Sequence, residues 1–355
     1  MNVIKNRDEW NSLVEKEFTE YRDVYFNYEY SEIYKKYYHV EPEGIFWEDD
    51  NLKIFWTHLV RNISKLDCLK EFNYFDLTTA YGYGGPLVKA KTSEKEILAA
   101  SLRHFSEDYE RYALKNDYVT EFTRFHPLFK NWEIVGEIIG LEHLNDVVAV
   151  DLTGNIDDLW KNIKKGQRYN IKKSSMEGCA AEILSEPSDS DIEAFLEFYN
   201  ETMRKNRASK KYFFPFEFVK DHFNLLDSIL VKIKYKNDAV GASMFILGEK
   251  IIHYHLSGFT ADFKGIYPSS LALWEAIKWA KDKGFNYMHL GGGRGKNDSL
   301  FDFKKSFSNL ILPFYIGKKI FDQTVYEKLL SYSQVASRPG DYFPGYRYGL
   351  QEQII

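Results

Sequence analysis

The strongest constraint on this chain is an order of elements that appears twice along it. In the first half, "EGIFWEDDNLKIFWTHLV" reads as two strands about a turn at residues 49–51. A glycine-bearing loop follows at 81–86, then a long helix at 93–117 and a strand at 118–125. Ser93 is expected to cap that helix, with Glu96 completing a capping box. In the second half the same order runs through a hairpin within 229–258, a loop at 260–268, a helix at 269–284 and a strand at 285–292. Pro268 opens this second helix and Gly284 closes it, with Leu271, Trp274, Ile277 and Ala280 on one face. The repetition predicts a duplicated α/β unit with mixed sheets. Domains are expected at 1–148 and 149–330, with a C-terminal tail at 331–355. The length of 355 residues fits two domains of about 150 residues each.

Composition excludes several function classes. A net charge of −5 disfavours a general DNA binder, which needs a basic footprint, but leaves room for a local anion site. The apolar content of 44% suffices for packed cores. Cys68 and Cys179 stand far apart, so neither a disulfide framework nor a zinc cluster is expected, and a reducing cytosol fits. The N-terminus is too polar for a signal peptide, and no apolar run reaches membrane-spanning length. These readings predict a cytoplasmic chain, peripheral at the inner membrane face if it meets a membrane at all. His253 and His255 alternate in "IIHYHLSGF", but no third ligand stands at a metal-binding spacing.

The segment "LGGGRGKNDSLFDFKK" invites a phosphate-loop reading and fails it. The interval from Gly291 to Gly295 is one residue short, and Asn297 follows Lys296 where a Ser or Thr is required. A strand-to-helix turn remains, with Asp298 as N-cap of a helix through "SLFDFKKSF". Within that helix a lysine beside Phe301, Phe303 and Phe307 could stabilise an oxyanion; the plain alternative is that Lys304 and Lys305 are surface lysines.

The clearest charge signal is "WKNIKKGQRYNIKKSSM", which holds no acidic residue. In one continuous helix, Lys161, Lys165, Arg168 and Lys172 would share a face. Such a face is either solvated or a phosphate site, and Arg168 is its best bidentate donor. The start of the 269–284 helix, with Ser269 and Ser270 at the cap, is a second candidate anion site.

Taken in order, "VAVDLTGNIDDLWKNIKKGQRYNIKKS", "YPSSLALWEAIKWAKDKGFNYMHLGG" and "SLFDFKKSFS" resemble the FemABX-like branch of the GNAT superfamily. "YGYGGPL" resembles that branch's Tyr/Gly-rich loop. The resemblance implies two tandem GNAT-like domains and transfer of an acyl or aminoacyl group to an amine of a cell-envelope precursor, nucleotide- or lipid-linked. It implies Lys304 near the transferred carbonyl; it names no general base, for which His255 and Asp302 are candidates. It also implies Arg168, helped by Lys164 or Lys165, near the acceptor's diphosphate, and Tyr81 and Tyr83 along the cleft. The donor would be aminoacyl-tRNA or acyl-CoA, with no tightly bound cofactor. The usual CoA cradle has a second glycine that "FKGIYPSS" lacks, and no long helical hairpin interrupts residues 176–213. Two alternatives stay open: an acetyl-CoA-dependent N-acetyltransferase, and a non-catalytic protein that binds a nucleotide-sugar or glycan.

Overall fold

A computed structural model of the chain describes residues 1–260, 265–293, 298–333 and 342–349. Arg294, Gly295, Lys296 and Asn297 of the phosphate-loop reading, and Phe263 and Lys264 of the cradle, lie outside the described residues. Two compact units are present, one of residues 145–313 and one built from 1–144 with the described residues after 313.

The first unit opens with β1 (Asn2–Ile4), α1 (Arg7–Glu17), α2 (Tyr28–Tyr38) and the hairpin β2 (Glu41–Glu48) and β3 (Leu52–Asn62). It continues through β4 (Phe75–Thr78), β5 (Gly85–Ala90), α3 (Lys95–Lys115), β6 (Tyr118–Arg124) and the short α4 (Trp132–Val135). The sheet order is β1-β2-β3-β4-β6, with β5 also on β3. All these pairs are antiparallel except β4 with β6. The parallel pair is matched to the end of β4, from Phe75 and Tyr118 to Thr78 and Phe122, and Gly84, just ahead of β5, makes a separate parallel bridge to Phe125. The expected capping box at Ser93 does not form. Helix α3 begins at Lys95 with Glu94 as N-cap and no side-chain cap.

Two carboxylates buried in this unit, Glu43 and Asp76, are paired with cations, whereas the buried Glu121 accepts, among the described residues, only from the hydroxyls of Tyr109 at 2.8 Å and Thr123 at 2.9 Å. The Glu43 carboxylate accepts from the hydroxyls of Tyr112 and Tyr118 at 3.0 Å each and faces Lys5 at 2.8 Å and His58 at 3.1 Å. Burial alone would raise its pKa, but His58 and Lys5 together pull it down to about 2. Asp76, fully buried, holds Arg61 and Arg347 at 2.6 Å each and the Tyr346 hydroxyl at 2.8 Å.

The second unit follows from β7 (Leu141–Asp151) through α5 (Ile156–Asn162), α6 (Lys165–Met176), β8 (Cys179–Leu184), α7 (Asp189–Lys205) and α8 (Phe216–Leu225). Then come β9 (Ser228–Tyr235), β10 (Asp238–Leu247), β11 (Ile251–Phe259), α9 (Pro268–Asp282), β12 (Tyr287–Gly291) and α10 (Ser299–Lys305). Its sheet order is β7-β12-β11-β10-β9-β8, with β11 and β12 the parallel pair. One face carries α5, α6 and α9 over a core that includes Val148, Val231, Phe245, Ile252, Leu273 and Leu290. Alternate residues face α7, where a side chain on Gly258 would strike the backbone of Tyr199.

The parallel pair of this unit opens. Its register covers Ile251–His253 against Tyr287–His289 and stops there. Beyond that point β11 stays on β10 as far as Phe259, while Gly291 of β12 pairs with Val148 of β7. Each strand is held by its outer neighbour, so the two separate. The basic segment is not one helix either: it breaks between α5 and α6 at Ile163 and Lys164, so Lys161 leaves the face shared by Lys165, Arg168 and Lys172.

The chain returns to the first unit in β13 (Leu310–Ile320), whose residues 316–320 pair antiparallel with β6, and in α11 (Gln323–Tyr332).

Candidate active site

Helix α10 is short and set by its ends. The Asp298 side chain accepts from the backbone of Leu300 at 2.9 Å, and Phe301, Phe303 and Phe307 pack on the core. That packing turns Lys304 inward, where it is 7% exposed. Its Nζ donates to the carbonyl of Gly292 at 2.6 Å and stands 5.8 Å from the centre of the Tyr254 ring. Among the described residues no carboxylate forms an ion pair with it. Burial without such a partner pushes its pKa down to about 8, only partly offset by the charge of Asp298. The surface reading of Lys304 is therefore excluded.

The neighbours of Lys304 come from the splayed strands. Tyr254, on β11, packs on Phe245 and donates its hydroxyl to Ser257 at 2.5 Å. Gly292 directly follows β12. The exit from that strand depends on two glycines: Gly291 has φ 76, and a side chain on Gly292 would lie 3.1 Å from the carbonyl of Asp146. The glycine run thus aims a carbonyl at a lysine. Tyr254 and Gly292 were not singled out from the sequence. The alternation that made His253 and His255 conspicuous already puts Tyr254, between them, on the other face.

The structure brings some expected residues together and separates others. The backbone N–H of Lys164 donates to the carbonyl of Ser306 at 2.8 Å, which ties the start of α6 to the end of α10. Lys164 and Lys165 are exposed beside it, where a negatively charged group could be met. Arg168 uses one guanidinium nitrogen on the last carbonyls of α5, Lys161 at 2.7 Å and Trp160 at 3.4 Å. A guanidinium has five N–H donors, so its remaining edge can still take a phosphate oxygen. Ser270 is 2% exposed and accepts from the Gln167 side chain at 2.7 Å, which joins α6 to α9. Ser269 is half-buried, and the cap of α9 is Tyr267 rather than either serine.

His255 does not reach Lys304. Its ring lies 5.2 Å from that of His222 on α8, on the opposite face of the sheet from Tyr254, and burial holds its pKa well below the usual histidine value. Asp302 is exposed on α10, two residues before Lys304 and so on another side of the helix. Tyr81 and Tyr83 belong to the first unit. The carbonyl of Tyr81 accepts from Tyr30 at 2.6 Å, and the Tyr83 ring packs on Tyr25, His126 and Phe314.

Residues 161–305 match a family model described as an acetyltransferase (GNAT) domain, a span that runs from the end of α5 to the residue after Lys304. The fold is matched over nearly the whole chain by the crystal structure of FemX, at TM-score 0.68 and 12% identity, covering 92% of this chain and 99% of that one. This is the fold of the tandem GNAT proteins. L-PGS from Bacillus licheniformis has the same fold at TM-score 0.57 and 12% identity, with 94% and 98% of the two chains covered. No curated protein matches the chain in sequence. The GNAT match falls on the second unit, which holds both the splayed pair and Lys304. No described helix is long and apolar enough to cross a membrane.

Proposed function

We propose that this GNAT-fold chain transfers an acyl or aminoacyl group to an amine of a cell-envelope precursor. The observation that carries the reading is Lys304, a buried ammonium with no carboxylate partner among the described residues, beside the opening between β11 and β12. In the reaction the amine nitrogen attacks the carbonyl of a bound ester or thioester. A C–N bond forms, the C–O or C–S bond breaks, and the amine proton ends on the departing alcohol or thiol. Charge develops on the carbonyl oxygen in between. A protonated Lys304 would stabilise it, together with backbone N–H groups. Arg168, with Lys164 or Lys165, would hold the phosphate of the acceptor. Likeness to FemX supports an aminoacyl donor; the splayed strands give acyl-CoA a specific claim, since an extended thioester tail needs such a gap.

The test offers labelled acetyl-CoA, or labelled seryl- or alanyl-tRNA, with nucleotide-linked and lipid-linked amino-sugar peptides to the wild type and to Lys304→Met. Label in a new amide identifies donor and acceptor, and its loss in a folded variant supports the role of Lys304. Full turnover by that variant removes Lys304 from the mechanism. Ligand binding with no transfer from any donor favours the non-catalytic reading.

A further inference from the structure

We propose that the exposed face of α6 docks the protein onto an anionic lipid bilayer. Lys165, Tyr169, Lys172 and Met176 follow one another at intervals of four, three and four residues, which places them in one narrow stripe of the helix. Arg168 and Lys173 flank the stripe, while Gln167, Ile171 and Ser174 form the buried side. Met176, at 86%, and Tyr169, at 61%, are the most exposed large apolar side chains among the described residues. Residues 159–176 hold no acidic side chain, and the first acid beyond them, Glu177, stands at the C-cap of the helix. Tyr267, 37% exposed at the cap of α9, extends the patch, with the ammonium of Lys173 5.8 Å from its ring. Lys161 is left out, because it pairs with Asp158 at 3.2 Å.

A bilayer fits this chemistry better than a soluble polyanion. A nucleic acid would use the lysines, yet it gives Met176 nothing to bury against. A bilayer interface accepts both: phosphates meet the ammonium groups, and the Tyr and Met side chains enter the boundary between headgroups and acyl chains. The rest of the chain carries the opposite sign, since the net charge is −5 despite this cluster, so attraction to a negative surface acts through this face. The inference does not depend on the transfer reading, because docking is measured without donor or acceptor.

Co-sedimentation of the full chain with phosphatidylcholine vesicles, with and without phosphatidylglycerol, tests it. The wild type is expected to bind only the vesicles that contain phosphatidylglycerol, and more weakly as salt rises. K172Q with K173Q is expected to weaken binding by about 25-fold, roughly fivefold for each lysine. Y169S with M176S is expected to weaken it while leaving the salt dependence in place. Unchanged melting confirms that both variants fold. Equal binding by wild type and variants, or no vesicle binding, overturns the proposal. So does a result in which bulk tRNA binds the wild type, displaces it from vesicles and loses affinity in the K172Q/K173Q variant while the Y169S/M176S variant keeps full vesicle binding.

Discussion

The two units each contain one parallel strand pair among their described residues, and the pairs end differently. In the first unit β4 and β6 stay together through Thr78 and Phe122, and Gly84 makes a separate parallel bridge to Phe125. In the second, β11 and β12 part after His253 and His289. Three buried charged groups differ in the same way, although the first unit also holds Glu121 buried with hydroxyl partners alone among the described residues. Glu43 and Asp76 are surrounded by cations and hydroxyls, whereas Lys304 has a carbonyl and an aromatic face. A closed pair with compensated charge is what stability favours. An open pair with a buried ammonium that has no ion-pair partner among the described residues costs stability, and such costs are retained where chemistry requires them. The contrast is what the proposed chemistry at Lys304 would require, with Glu43 and Asp76 left to structural work.

The largest effect is expected from breaking the compensated side. Asp76→Asn leaves Arg61 and Arg347 buried around a neutral amide. Urea unfolding should show a loss of about 3–5 kcal/mol. A loss below 1 kcal/mol would mean that Asp76 does not hold the two arginines in a stabilising cluster. Glu43 makes the same point through pH. Its pKa is about 2 in the folded chain against 4.5 for the free group, so its contribution is complete above pH 4.5 and is lost as pH falls towards 2. That contribution is about 3 kcal/mol, and Glu43→Gln should flatten the acid limb of a stability-against-pH curve by this amount.

Lys304 is expected to behave in the opposite sense. Its folded pKa of about 8 lies below the free value of 10.5, so burying the ammonium costs stability fully below pH 8, and the cost is relieved as pH rises to 10.5. Lys304→Met should therefore raise stability by about 3 kcal/mol at neutral pH while lowering turnover by about 10²–10³-fold. Wild-type turnover should fall as pH rises through about 8, and the residual activity of the variant should lack that limb. A variant that is both less stable and fully active would reverse the comparison.

A smaller effect isolates the glycine exit. Gly291→Ala places a side chain on a residue at φ 76. Thermal unfolding should register a cost of about 1–2 kcal/mol. Turnover should fall as well, because the next residue supplies the carbonyl that holds Lys304. If stability falls while the pH limb near 8 and the turnover stay in place, that carbonyl does not position the lysine.

Much of the scaffold was legible in the sequence because periodicity reports burial. The hairpin of β2 and β3, the meander β9–β11 and the limits of α9 follow directly from alternation, turn residues, Pro268 and Gly284. Strand β13 was not read, since "LILPFYIGKKI" contains Pro313 and alternates only in part. The break between α5 and α6 was hidden because a run of lysines has the same composition on one helix or two. The aromatic neighbours leave Lys304 and Lys305 alike, and only the family resemblance points to Lys304; its burial depends on Gly292 and Tyr254, which are remote from it in sequence. His255 shows the converse: alternation correctly marks a face, but not which helices cover it.

Arg168 gives the smallest and most discriminating test. Its guanidinium closes the end of α5 at Lys161 and Trp160, a purely structural task worth about 0.5–1.5 kcal/mol. If that is its whole role, Arg168→Gln should lower the unfolding midpoint slightly and leave KM unchanged for acceptors with or without a diphosphate. If the remaining edge also grips phosphate, KM should rise for the diphosphate acceptor alone, by about tenfold, with kcat preserved. Arg168→Lys then separates charge from shape: a lysine restores attraction to phosphate but neither the fork nor the reach to two carbonyls. Recovery of KM without recovery of stability would assign the two tasks to different edges of one side chain.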